Sequence, residues 1–531
     1  MESPTIIGRG TWLDKVAQET ADREKKLGRS LSLVRVESGL GASGLPHIGS
    51  VGDAIRSYGV KLALETLGYK SELIAYSDDF DGLRKVPAGF PAWLKDYISR
   101  PVSRIPDPFG CHKSYAEHVG SLLRESLDKV GVEYRFQSGT EAYASGALND
   151  QIRKILSQAT VIGKKINELV GQSKYEGSLP YTAVCHDCER IYVTQAKSFD
   201  PARDTVHYVC EGTELGDKQV KGCGYEGDVK VTEGNGKLMW KVEFAARWSA
   251  FDIRFEAYGK ELTDSVKIND WVAEQVLGYL PPYHARYELF QDKSGRKMSK
   301  SVGNLVTPVE WMEYASPESL RLLMYKRIIG ARNVSIEDVP TYMDEFDDLE
   351  ESYFSKKRDP NQMKDARQRG LYEYSMFLKV PQAKGVHVPY RLLAQLAAVA
   401  PEASVNDFVL KRLTAYGMVT APSPALAQRI SWARKWESRE GKREIEAPEL
   451  SPAAREALKE FAASLEGAAD ADGVQNAAFE AAKKNGLKPG EFFPAVYSIL
   501  LGSDRGPRLG PYVMDAGRSE VSRLLLKALG S

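Results

Sequence analysis

The chain reads as an α/β protein in which a parallel sheet carries a cysteine-bearing insertion and is followed by an all-α region. Three observations predict this. Short apolar runs alternate with amphipathic helical patterns as far as Phe290. Four of the five cysteines, Cys185, Cys188, Cys210 and Cys223, interrupt that alternation. From Pro317 onward the apolar spacing is helical almost throughout.

Residues 31–36 alternate Leu and Val with Ser and Arg and read as a strand. A glycine-rich turn and an amphipathic helix over 51–67 follow, then a strand over 71–75. This is a βαβ unit, which binds ligands beyond the carboxyl ends of its strands. Helices are expected over 114–130 and 148–170, and the insertion over 173–236. Returning strands are expected at 249–258 and 287–290, with a helix over 264–280 between them. Beyond Pro317, segment 355–370 is polar and basic and reads as a hinge or RNA-facing junction. Helices over 425–439, 452–465 and 474–485 then form a bundle.

At 531 residues the chain exceeds what one core supports. The expected division is a split Rossmann-type catalytic domain (1–172 and 237–303), a metal-binding insertion (173–236), a junction (304–365) and a helical domain (366–531). The 72 basic and 72 acidic residues cancel, so any RNA binding must use local patches rather than a global field. Met1-Glu2-Ser3-Pro4 opens no signal peptide, and no apolar run approaches the roughly 20 residues that span a bilayer. Five cysteines in so long a chain make no disulfide framework. A cytoplasmic monomer without membrane contact is expected.

Two short motifs carry the chemistry. Gly44-Leu45-Pro46-His47-Ile48-Gly49-Ser50 sits where the first strand turns into a helix, and Lys297-Met298-Ser299-Lys300-Ser301 lies on a later loop. A His at a helix N-terminus has the dipole and free N–H groups beside it, a ready anion site. Gly49 permits close approach to the backbone. Lys297 and Lys300, with Ser299 and Ser301, supply positive charge and hydroxyls for phosphates. In this order the motifs describe two sides of one ATP site that activates a carboxylic acid. Such a reaction is catalysed by positioning and by donors aimed at developing phosphoryl charge.

Cys185-His186-Asp187-Cys188 has the spacing of a zinc knuckle, with Cys210 and Cys223 completing four thiolates. Four protein ligands leave no open position, so the Zn²⁺ is expected to be structural. His186 or His207 could replace one thiolate. Cys111 stands apart and is expected to pack.

With Glu37-Ser38-Gly39, the run 79–87, Ile105-Pro106-Asp107-Pro108 and Gly222-Cys223-Gly224-Tyr225-Glu226-Gly227, the two motifs resemble the HIGH and KMSKS signatures of class I aminoacyl-tRNA synthetases. The set is similar to the lysyl-type family of that class, found mainly in archaea. The resemblance implies activation of lysine with ATP and Mg²⁺, transfer to tRNA(Lys), and a C-terminal anticodon region. It puts Gly39 beside the substrate α-amino and carboxylate groups, Trp240 in the amino-acid pocket, and Tyr287 and Glu288 on the ammonium. It puts Gly259 and Glu261 at the ATP ribose, His47 at the α-phosphate, and Lys297 and Lys300 at the β- and γ-phosphates.

Three positions depart from the family pattern. Leu262 stands where an imidazole is usual, Gly41 where Thr is usual, and Ser50 where Asn or His is usual. They leave open a synthetase with another amino-acid substrate; a nonenzymatic RNA-binding relative would be expected to have lost His47 or the lysine loop. Asp78, Asp79 and Asp81 are candidates for substrate-amine or metal contacts, and a polar strand end explains them equally well. Trp432, Arg434, Lys435, Trp436, Arg439, Lys442 and Arg443 combine aromatic faces with positive charge, as unpaired bases require. On the residues alone, a helix with core tryptophans is the simpler description.

Overall fold

The computed structural model describes residues 6–42, 44–216, 218–292, 294–296, 306–440, 449–502, 504 and 506–530. Two compact units divide the chain. The first comprises Met1–Pro308, Arg321–Val334 and Asp359–Val380; the second comprises Val309–Leu320, Ser335–Arg358 and Pro381–Ser531.

The first unit is organised on five parallel strands: β1 (Val34–Leu40), β2 (Ser71–Ser77), β3 (Arg135–Ser138), β4 (Ile253–Gly259) and β5 (Tyr283–Tyr287), in the order β5-β4-β1-β2-β3. From β1 the chain steps one way to β2 and β3, and β4 and β5 are added on the other side. The crevice between β1 and β4 is therefore the switch point, where open α/β sheets bind ligands. Leu40 pairs with Ser77 and Gly259 with Tyr287, so the carboxyl ends share one edge.

Helix α1 (Trp12–Lys26) starts at a capping box in which Thr11 and Asp14 satisfy each other's backbone N–H groups. Helix α2 (Ile48–Thr66) connects β1 to β2 and is buried on most sides, from Val51 and Ile55 to Leu62. Gly68, at φ +88°, supplies the left-handed residue that stops it. Helix α3 (Tyr115–Val130) begins at Ser114 and leads to β3.

The strand expected at 249–258 needs correction. Residues Trp240–Phe251 form helix α4, because Val242, Ala245, Ala246 and Trp248 repeat at helical spacing and are buried. Asp252 turns the chain at φ 55°, and β4 starts at Ile253. The strand expected at 287–290 lies earlier, at Tyr283–Tyr287; Phe290–Gln291 instead pairs with Arg332–Asn333. The helix expected over 264–280 is α5 (Thr263–Trp271) plus a wider turn over Val272–Leu277 closed by Gly278. The pattern over 148–170 breaks at Gln158 into two helices. Half of the expected hinge is helical, Gln362–Ser375.

The insertion is a β excursion. Tyr181–Ala183 and Gly236–Leu238 pair antiparallel as its neck. Beyond them lie a three-stranded antiparallel sheet (Thr194–Asp200, Thr205–Cys210, Glu226–Lys230) and a hairpin (Gly212–Leu215, Lys218–Lys221).

The second unit is helical among its described residues, with Val339–Phe354, Tyr390–Val399 and Pro424–Glu440 among its longer elements. A buried pair, Arg429 with both oxygens of Asp347 at 2.9 and 2.5 Å, joins two of these helices. No helix of the described residues is long and apolar enough to cross a membrane.

Candidate active site

His47 is the N-cap of α2, in extended conformation, and its Nδ1 accepts the Ser50 N–H at 3.3 Å. Gly49 makes that geometry possible: a Cβ there would sit 2.8 Å from the imidazole Nδ1 and Cε1. Hence the ring that the glycine admits is His47 itself.

A cavity of about 420 Å³ opens at the switch point between β1 and β4. It is lined by Gly39, His47, Gly49, Ser50, Trp240, Glu261, Tyr287 and Glu288, eight residues singled out from sequence. Gly44 and Gly259 are buried beside it without lining it. At Gly259 a Cβ would meet the Glu261 carboxylate at 2.4 Å, so glycine leaves that acid its place. Lys297, Met298, Ser299, Lys300 and Ser301 lie outside the described residues.

The cavity also contains residues that the motifs did not mark. Asp53 and Arg56 line it, three and six positions beyond Ser50 on α2. Ser50, Asp53 and Arg56 are successive i,i+3 neighbours on α2, a signal helical periodicity could have supplied. The Tyr287 hydroxyl donates to Asp53, and the Arg56 guanidinium lies 3.7 Å from the same carboxylate and 4.3 Å over the Tyr287 ring. Burial pushes Asp53 up to about 7, against the pull of Arg56 and the Tyr287 hydrogen bond.

Trp240, Phe244 and Arg247 face the cavity from α4 at spacings of four and three. The Arg247 guanidinium is buried and gathers three carboxylates: Glu37 at 2.9 Å, Asp78 at 3.0 Å and Glu256 at 3.8 Å. It stacks 4.3 Å over Tyr76, while the Trp248 indole N–H donates to Glu256 at 2.5 Å. Burial raises both Glu37 and Asp78 above the ordinary carboxylate range, with Arg247 opposing.

The three aspartates after β2 divide by role. Asp78 lines the cavity. Asp79 accepts the Thr140 N–H at 2.7 Å, satisfying a helix start. Asp81 pairs with buried Lys237, whose ammonium also meets Glu243 at 3.0 Å, and accepts weakly from the Trp240 indole at 3.4 Å. Glu288 is ion-paired with Lys260 at 2.5 Å. Leu262 and Val266 join Trp240 and Phe244 as an apolar wall.

Two groups of side chains could hold metal ions. The thiols of Cys185, Cys188, Cys210 and Cys223 lie within 4.8 Å of one another, with Cys185–Cys223 at 3.5 Å and Cys188–Cys210 at 3.7 Å. A tetrahedral zinc with ~2.3 Å Zn–S bonds spaces its sulfurs by about 3.8 Å, so the cluster fits Zn²⁺. His207 is engaged elsewhere, with Asp228 and Glu226, and His186 stacks on Tyr225.

The second group corrects the reading of Cys111 as a packing residue. Cys111 is exposed, and its sulfur lies 3.1 Å from His112 Nδ1 and 3.2 Å from His118 Nδ1. Asp107 completes the set, 3.4 Å from His118 Nδ1. Sulfur, imidazole and carboxylate donors in this number suit Zn²⁺. The spacing, with one histidine adjacent and the other seven residues on, falls outside the CxxC pattern that marked the first group.

In the second unit, Trp436 is buried and its indole donates to the Ile336 carbonyl at 2.8 Å. Arg439 pairs with Glu310. Lys442 and Arg443 lie outside the described residues.

The parallel sheet, its switch-point cavity and the His-capped helix belong to a class I aminoacyl-tRNA synthetase. Within that class the chain belongs to the family described as tRNA synthetases class I (K), whose model matches residues 10–377. It is 49% identical to a lysine–tRNA ligase of Cenarchaeum symbiosum (strain A) over 519 residues, 98% of each chain. It is 47% identical to a second Cenarchaeum symbiosum lysine–tRNA ligase, covering 98% of this chain and 99% of that one. A lysine–tRNA ligase of Haloarcula marismortui is 30% identical over 98% of both chains.

Proposed function

We propose that the chain is a lysine–tRNA ligase, activating lysine with ATP to lysyl-adenylate and pyrophosphate and passing the lysyl group to the 3′ end of tRNA(Lys). The observation that carries this is a single cavity at the switch point that brings His47 together with the carboxylates Asp53 and Glu288 and the ring of Trp240. A lysine ammonium leaving water needs a partnered carboxylate, and its methylene stem needs an apolar wall. Asp53, shared with Arg56 and the Tyr287 hydroxyl, supplies one carboxylate toward the first need; Trp240, Phe244, Leu262 and Val266 meet the second. Glu288 adds negative charge at the rim, shared with Lys260. Gly39 leaves open space for the substrate α-amino and carboxylate groups.

His47 donates to the α-phosphate as charge builds there, aided by the dipole of α2. Glu261 takes the ATP ribose, and Lys297 and Lys300 take the β- and γ-phosphates. Mg²⁺ bound with ATP would supply further positive charge for the triphosphate. Cys185, Cys188, Cys210 and Cys223 would hold a zinc ion that ties the insertion (173–236) together, and Asp107, Cys111, His112 and His118 would hold a second ion in the loop before α3. Residues 1–172 and 237–303 form the catalytic domain, 304–365 a junction, and 366–531 the anticodon-binding domain. A cytoplasmic, monomeric enzyme fits this role.

The test is amino-acid-dependent ATP–pyrophosphate exchange with each standard amino acid, with and without tRNA. Exchange with lysine, abolished by His47→Ala, supports the proposal. Exchange with another amino acid alone replaces the substrate and keeps the mechanism.

A further inference from the structure

Residues 82–113 leave the sheet from the carboxyl end of β2, on the edge where the cavity opens, and return at the start of α3. The segment folds on a small core of its own, including Leu83, Leu94, Val102 and Ile105, which also takes in Ala42 from the turn before His47. Arg84 carries it to the cavity wall, its guanidinium 5.4 Å over the Tyr192 ring and 6.0 Å over that of Trp240.

Outside that core the segment exposes rings. Trp93 is 40% exposed and Phe109 52% exposed, far more than packing aromatics usually are. Phe109 is held in place by a stack on His118 at 4.7 Å, and Trp93 by an edge contact with Tyr97 at 5.4 Å. The charge is one-sided: Arg84, Lys85, Lys95, Arg100, Arg104 and Lys113 against Asp96 and Asp107, in a chain whose total charge is zero. Asp107 is also turned inward, accepting the N–H groups of Phe109, Cys111 and His112.

Held aromatic faces among sequence-neutral positive charge form a surface for an unpaired nucleic-acid strand, since every base has a face to stack and every phosphate a charge. Duplex RNA offers no such faces. We propose that residues 84–113 receive the single-stranded 3′ end of the tRNA as it enters the cavity, bases stacking on Trp93 and Phe109 and phosphates meeting Lys85, Lys95 and Lys113. The inference rests on the proposed function, because only the transfer step brings an RNA 3′ end to this edge.

Full-length Trp93→Ala, Phe109→Ala and Lys85→Glu/Lys95→Glu proteins are compared with the parent in two assays, lysine-dependent pyrophosphate exchange without tRNA and aminoacylation of tRNA. Exchange is expected to be unchanged, while kcat/KM for tRNA falls roughly tenfold for each ring removed. Trp93→Phe, which keeps a ring, restores most of the loss. Unchanged aminoacylation in all three variants overturns the proposal, as does an equal fall in both assays, which marks a purely structural role. A parent protein without lysine-dependent exchange overturns the functional reading itself and this inference with it.

Discussion

The Tyr287 hydroxyl donates a hydrogen bond to the carboxylate of Asp53, joining the end of β5 to the second turn of α2. Two residues 234 positions apart thereby make one acidic subsite lining the cavity.

Asp53 gives the first prediction. Its folded value of about 7 lies above the ordinary carboxylate value of about 3.9. The folded state therefore holds this proton more tightly than the unfolded chain. The stability it contributes is full below about pH 4 and is lost as pH rises through about 7. Asp53→Asn should flatten that part of the curve of Tm against pH. A lysine ammonium needs the charged carboxylate, so KM for lysine in the parent should fall as pH rises through the same window. In Asp53→Asn it should be high and nearly independent of pH, as read by pyrophosphate exchange.

Arg247→Met removes the cation that Glu37, Asp78 and Glu256 share. Stranding buried carboxylates costs about 3–5 kcal/mol, measurable by urea unfolding. The raised carboxylates protonate more easily at low pH, so the loss should be smaller at pH 5 than at pH 8. Arg247→Lys should recover little, because one ammonium cannot span the same partners.

The two metal groups should load and empty independently. Zinc content is expected at two per chain, one for each group. Cys188→Ser should lose one and open residues 173–236 to protease. His118→Ala should lose the other and leave the insertion resistant. A content of one in the parent, unchanged by His118→Ala, would remove the second site.

Gly49→Ala places a Cβ 2.8 Å from the His47 ring. The imidazole must swing away and release the Ser50 N–H. Exchange turnover should fall by about a hundredfold, the scale of a lost transition-state donor, with KM for lysine little changed.

Much of the site was legible because it is written in local patterns. His47, Gly49 and Ser50 stand together at the turn from strand to helix, and that turn must lie at the sheet's carboxyl edge. Cys185 and Cys188 announce themselves by spacing. The strand β2 and the helices α2 and α3 follow from apolar periodicity, which reflects the one face each element buries.

Other features were decided only when distant segments met. Arg247 looks like any helical arginine until Glu37, Asp78 and Glu256 arrive from three strands to surround it. Cys111 looks solitary until the loop folds Asp107 and His118 against it. Residues 249–251 look extended, yet they complete α4, whose buried Val242, Ala245, Ala246 and Trp248 repeat at helical spacing. The fold class, the first motif at a helix start and the Cys185–Cys188 knuckle were legible in the chain alone, since each is a pattern of near neighbours. The charge balance of the cavity was decided by tertiary structure, because burial and pairing set the state of a carboxylate, and neither exists until the strands are side by side.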